Sequence, residues 1–150
     1  MPQGQADLWF NFVRAHRSLI REIERRLAAE QLPAYAWYDA LWGIESGPQG
    51  TRRMHELADV MVIERYNLTR LVDRLEADGL VERRRSQADG RGAVACITDK
   101  GRALRKRMWV VYEGAVNELF LSQFDPQVRQ PMAVALEQVR LAANASGEAQ

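Results

Sequence analysis

Residues 81–92 read VERRRSQADGRG. Arg83, Arg84 and Arg85 run together, a polar turn centres on Asp89-Gly90, and Arg91 follows at once. A guanidinium is a planar, permanently charged fork of five donors, so its chemistry is the holding of phosphate or carboxylate oxygens rather than proton transfer. A catalytic loop, a hairpin kept soluble by edge charge and a probe for nucleic acid are the three readings open to such a turn. The residues around it must decide.

Other chemistry-bearing side chains are sparse. His16 and His55 stand apart and lack the clustering of metal ligands, so neither a metal nor another cofactor is expected. His16 lies beside the apolar stripe of the first helix, where a satisfied interior histidine is the plain reading. Cys96 alternates with Val94 and Ile97 on a strand, and a single cysteine builds no disulfide framework. No nucleophile–base constellation or phosphate loop is present, and the GRG of residues 90–92 is too short for a nucleotide fingerprint. An enzyme is therefore not expected.

The charge is uneven. The 150 residues carry a formal net charge of only +1, yet residues 51–107 hold 14 Lys and Arg against 9 Asp and Glu. Between Arg83 and Arg107 the contrast sharpens to 9 against 2, a positive patch in mid-chain. A solvated charged face explains many such patches, so charge alone does not choose. With 47% apolar residues the chain can bury a core. It has no long uncharged apolar run, and MPQGQADLWF lacks the layout of a signal peptide, so the expectation is a single cytoplasmic domain with no membrane contact.

Periodicity supplies the elements that position these groups. Leu8, Phe12, Ala15, Leu19, Ile23 and Leu27 fall on one helical stripe, with Asp7 at the expected cap and Pro33 beyond the end. A helix of about 24 residues spans about 36 Å, too long for a small domain to cover, which predicts packing on another subunit. A second helix reads AYAWYDALWGIE and stops at Ser46-Gly47-Pro48. Met54, Leu57, Ala58 and Met61 mark a short third, and a fourth is expected from Ile63 to Asp78 with Gly79 as its left-handed terminator. The period then changes to two. Residues 80–83 and 94–97 read as the strands of a hairpin. Thr98 or Asp99 caps a fifth helix, and Asp125-Pro126 opens a sixth, with ASGEAQ expected to fray.

Short helix, tight turn, second helix and hairpin make the order of a winged helix-turn-helix, whose second helix enters the major groove of DNA. The fold class expected is mainly α with a small β-hairpin. A winged helix-turn-helix occupies about 34–99, between long N- and C-terminal dimerisation helices at about 7–31 and 100–145, in a single domain of residues 1–150. The outer face of the fourth helix offers Arg65, Asn67, Thr69, Arg70 and Arg74, while Leu68, Leu71, Val72 and Leu75 face inward. The blander reading of Arg70 and Arg74 is a solvated helix salt-bridged to Asp73 or Glu76.

The stretch LTRLVDRLEADGLVERRRSQADGRGAVACITDKG resembles the central signature of the MarR family, the multiple antibiotic resistance regulators. The family's T-R-L-V-D-R-L-E-x-x-G-L-V-x-R is met from Thr69 to Arg83. Its D-x-R is met by Asp89 and Arg91, and its L-T-x-x-G by Thr98 and Gly101, with Ile97 in place of leucine. Weaker similarity runs back through HELAD and LPAYAWYDAL. The sequence departs from the pattern at Met61-Val62-Ile63-Glu64, where a glycine and a serine cap are usual, and at Gly90 and Gly92 in the wing.

The resemblance implies a homodimer with interlocking terminal helices, binding double-stranded DNA. It further implies a repressor on a pseudo-palindromic operator, released by a small aromatic or phenolic ligand. Thr69, Arg70 and Arg74 then match the helix contacts and Arg91 the wing tip in the minor groove. Asp89 holds the wing in shape, and Arg84 and Arg85, with Arg83, approach the backbone. Such relatives bind their ligands between the dimer helices and the DNA-binding lobe, and an aromatic anion there wants flat apolar walls and a cationic or imidazole donor. Trp37, Tyr38, Trp42 and His16 are expected to contribute. A helical adaptor that keeps the fold without binding DNA is the alternative.

Overall fold

The computed structural model describes residues 2–61, 67–85 and 92–148. Among these described residues six α-helices and three strands follow in the order α1 (Gln3–Ala29), α2 (Tyr35–Glu45), β1 (Thr51–Arg53), α3 (Met54–Val60), α4 (Leu68–Ala77), β2 (Val81–Arg85), β3 (Ala93–Ile97), α5 (Asp99–Leu119) and α6 (Pro126–Glu148). The chain divides into two compact units, residues 1–113 and 114–150.

The first unit is built on one apolar cluster. Leu41 and Ile44 of α2, Leu57 of α3, Val72 and Leu75 of α4, and Val81 and Ala95 of the sheet are all almost fully buried and pack together. Four of the ten α4 residues, Leu68, Leu71, Val72 and Leu75, face this core, as their three-and-four spacing requires. The helix ends where Gly79 adopts φ +73°, and Leu80 N–H then bonds back to Leu75 O at 2.9 Å.

The sheet is antiparallel in the order β1-β3-β2. Val81 pairs with Ile97 and Arg85 with Ala93 across the hairpin, and Thr51 pairs with Cys96 on the other edge of β3. The hairpin is the predicted one, with β2 running two residues past Arg83. The strand β1 was not foreseen. Three polar residues, Thr51-Arg52-Arg53, show no alternation of their own and become a strand only because β3 offers a free edge.

Two helix ends also differ from expectation. Helix α1 begins at Gln3 rather than beyond Asp7, because the Gln5 and Ala6 amides both donate to Pro2 O at 3.0 and 3.1 Å and start the helix there. Helix α6 continues through Ala145–Gly147 to Glu148, where fraying was expected. The expected stretch of the fourth helix over residues 63–66 lies outside the described residues, and Asn67 leads directly into α4.

Thr98 joins hairpin to α5. Its hydroxyl donates to Gly79 O at 2.7 Å and accepts from the Gly101 amide at 3.0 Å, capping the helix as predicted. Gly101 is required by proximity, since a Cβ there would collide with Leu80 O.

In the second unit, the end of α5 and the helix α6 are joined by a 3₁₀ turn, Leu121–Gln123. Asp125 caps α6 through Gln127 N–H at 2.9 Å. Phe120 and Phe124 stack edge-on, and with Met132 and Leu136 they line an apolar cleft of about 150 Å³.

Candidate nucleic-acid interface and aromatic pocket

Helix α4 turns Asn67, Thr69, Arg70, Asp73 and Arg74 outward, and all five are exposed. The core-facing leucines fix this phase, so the polar face cannot rotate inward without unburying Leu71 and Leu75. The acids that would have neutralised Arg70 and Arg74 on a merely solvated helix are turned elsewhere. Arg83 of β2 donates to Asp73, its Nε stands 3.6 Å from Glu76 Oε1, and its own amide donates to Glu76 Oε2 at 2.8 Å. One arginine thereby fastens the hairpin to the side of α4.

This placement corrects one expectation. The Arg83 guanidinium is turned to Asp73 and Glu76 of α4 rather than outward, and only 26% of its side chain is exposed. Arg84 and Arg85 remain outward, Arg84 donating to Glu82 at 2.8 Å. That exposed bond holds the Arg84 guanidinium above its usual range.

Much of the basic patch is likewise architectural. Arg52 caps the end of α2 by donating to Gly43 O at 2.7 Å, and Lys100 caps the end of α4 by donating to Asp78 O at 2.7 Å. Arg102 and Arg105 turn to Glu45. What remains outward between Arg83 and Arg107, among the described residues, is Arg84, Arg85, Lys106 and Arg107. Arg65 lies among residues 62–66, and Asp89 and Arg91 among residues 86–91, outside the described residues.

A second feature lies between α2 and α5. Tyr35, Tyr38, Asp39 and Trp42 of α2 face Arg105, Trp109 and Tyr112 of α5 around a cavity of about 470 Å³. The spacings are helical, so each set falls on one face. Tyr38 stacks on Trp109 at 5.9 Å, and Tyr112 meets both edge-on at 5.1 and 5.5 Å. The Tyr35 and Tyr112 hydroxyls are 3.3 Å apart. Burial pushes the Tyr38 phenol up to about 12 and raises that of Tyr35 further, so both rings stay neutral at ordinary pH. The α2 end of this wall is anchored by α1, where Glu24 Oε1 accepts from the Tyr35 amide at 3.0 Å.

Tyr38 and Trp42 thus stand where a ligand wall was expected. Trp37, one residue out of phase, packs against the core cluster, and His16 sits on the exposed length of α1; neither lines the cavity. Tyr35, Asp39, Arg105, Trp109 and Tyr112 complete the lining and lie outside the expected set. The i, i+4, i+7 spacing of Arg105, Trp109 and Tyr112 was the available signal. Among the described residues no group of three or more His, Cys, Asp or Glu could hold a metal ion, and no helix is long and apolar enough to cross a membrane.

Comparison with known proteins agrees with this layout. Residues 33–92 match the model of the MarR family. The HTH-type transcriptional regulator TtmR of Methylorubrum extorquens (strain PA1) is 34% identical over 97 residues, 65% of this chain; the chain spans 45% of that relative's length. Sco3205, a MarR family regulator from Streptomyces coelicolor solved in complex with DNA, is 26% identical with a TM-score of 0.83, over 97% of this chain and 92% of that one. The regulator BldR of Sulfolobus solfataricus is 27% identical with a TM-score of 0.75, over 93% and 99% of the two chains. A family match that spans α2 to the hairpin, carried on a fold shared along nearly the whole chain, makes this protein similar to the regulators of the MarR family.

Proposed function

We propose that this chain is a sequence-specific DNA-binding transcriptional regulator. It acts in the cytoplasm as a homodimeric repressor on a pseudo-palindromic operator. The observation that carries the reading is the junction of α4 and β2. Arg83 takes up Asp73 and Glu76, so Thr69, Arg70 and Arg74 on the helix and Arg84 and Arg85 on the strand present hydroxyl and guanidinium donors from two fastened elements. Such donors suit base edges and phosphates. The DNA-bound state of Sco3205 supports the same use of this fold.

Asn67 and Arg65 belong to the same interface. Arg91 is assigned to the minor groove and Asp89 to holding the wing. Dimerisation is assigned to the terminal helices. Leu8, Trp9 and Phe10 of α1 and Val139 and Leu141 of α6 are 75%, 55%, 48%, 60% and 53% exposed, an apolar inventory that a second copy would cover. The aromatic cavity takes the effector, a small aromatic or phenolic molecule held by Tyr38 and Trp42. Occupancy shifts the dimer between a geometry that fits two half-sites about one helical turn apart and one that does not.

An electrophoretic shift with the duplex upstream of its own gene, repeated over a salt series, tests the reading. Binding that weakens steeply with salt is expected, because each neutralised phosphate releases counterions. No shift at low salt would favour the adaptor instead.

A further inference from the structure

Glu45 is the last residue of α2, one turn beyond Trp42. Its carboxylate is shared by two arginines of α5. Arg105 donates from Nε to Oε2 at 2.5 Å and from Nη2 to Oε1 at 3.2 Å, and Arg102 donates from Nη1 to the same Oε1 at 3.3 Å. The Glu45 and Arg105 side chains are 12% and 13% exposed, so neither charge can exchange its partner for water at little cost.

The two arginines lead in opposite directions. Arg105 lines the aromatic cavity, with its guanidinium 5.3 Å from the Trp42 ring centroid. Arg102 lies against the sheet. Its Nη2 occupies the place where a Cβ on Gly50 would stand, beside Ile97 Cγ2 of β3. Gly50 has φ +71° and hands the chain to Thr51, which pairs with Cys96 on the strand that also forms the hairpin with β2. Cavity wall, shared carboxylate, Gly50 and the hairpin strand are therefore consecutive contacts.

We infer that Glu45 is a positioning residue that relays the state of the aromatic cavity to the base of the β-hairpin. An occupant that draws Arg105 away from Glu45 leaves the carboxylate to Arg102 alone. Arg102 then shifts against Gly50, and β1 and β3 shift with it. The relay rests on the proposed function for its biological meaning, since the hairpin is the element assigned to DNA, but its physical coupling exists without DNA or ligand.

The test is a double-variant cycle read by amide resonances of the full chain. Trp42→Ala removes the ring that faces Arg105 on its cavity side. In the parent protein it is expected to move the Gly50, Thr51 and Ala95 amides. In the Glu45→Gln protein the same change is expected to leave them in place. Arg102→Gln, which keeps the Arg105–Glu45 pair, should silence them equally and serves if Glu45→Gln does not fold. A loss of general stability would move amides throughout but would not abolish the response to Trp42→Ala. Equal displacements with and without Glu45 and Arg102, or no displacement in the parent, would overturn the relay. A parallel DNA titration keeps the two ideas apart. If no protein shifts the upstream duplex, the regulator reading falls while the resonances still judge the relay. If the duplex is bound, Trp42→Ala should change its affinity severalfold in the parent and not in Glu45→Gln; an equal change in both would also count against the relay.

Discussion

At the scale of single residues, arginines that look alike in sequence divide by what their neighbours offer. Arg70 and Arg74 are outward on α4 while Asp73 and Glu76 are occupied by Arg83. Arg70→Ala and Arg74→Ala should each weaken operator binding by about 1–3 kcal/mol if the side chain reads a base. If it holds a phosphate, all duplexes weaken alike and the salt slope falls by about one. Competition titrations against an unrelated duplex decide between the two, and an unchanged affinity would remove the residue from the interface. Tyr38 carries a different prediction. Its phenol ionises near 10 when solvated and about 12 in the fold, chiefly through burial; Tyr112, Asp39 and Glu45 add to the rise and Arg105 opposes it. The raised value means the fold prefers the neutral ring. This stability is complete below pH 10 and is lost as pH climbs from 10 through 12. Tyr38→Phe keeps the ring and removes the proton, so its alkaline unfolding midpoint, followed by circular dichroism, should move to higher pH. A midpoint that falls or stays put would contradict the burial.

At the scale of elements, the join between hairpin and α5 is set by two small residues. Gly101 sits where any Cβ meets Leu80 O, so Gly101→Ala should cost about 1–3 kcal/mol as the helix start is pushed off the strand. Thr98→Ala removes both the bond to Gly79 O and the cap on the Gly101 amide, costing about 1 kcal/mol. Chemical denaturation measures both, and a neutral Gly101→Ala would mean that the approach is looser than described. These residues were legible because the T-x-x-G spacing is local, as were the α4 phase and the Gly79 stop. The strand β1 was not legible: its pairing with β3 joins residues more than forty apart, and Thr51-Arg52-Arg53 has no pattern of its own. The cavity was half legible. Aromatic content pointed to α2, but the choice between Trp37 and Tyr38 depends on helix phase to within one residue, and the partner wall lies on α5. The basic patch misled for a related reason. Charge counts cannot show that Arg52 and Lys100 cap helices or that Arg83 ties strand to helix.

At the scale of the whole molecule, the terminal helices set the strongest demand. Of the six residues on the long α1 stripe, only Ile23 and Leu27 are buried within the chain. Leu8 and Phe12 of that stripe remain 75% and 46% exposed, and Trp9 beside them 55%. Leaving that much apolar surface in water forfeits about 25 cal/mol for each square ångström that a partner could cover. A dimer through these helices should therefore melt at a temperature that rises with protein concentration, as mass action requires when folding and association are linked. Trp9→Asp on α1, and separately Val139→Asp on α6, should convert the protein toward monomer in sedimentation velocity, because each would bury an unpaired carboxylate against a partner. Neither substitution touches α4 or the hairpin, so contact chemistry at a half-site is preserved. Binding to the full upstream duplex should nevertheless fall by at least about tenfold, since one chain offers a single helix to a site built for two. A monomeric variant that keeps full affinity would place recognition in one chain and defeat the dimeric reading, whereas a dimer untouched by both changes would put the interface elsewhere.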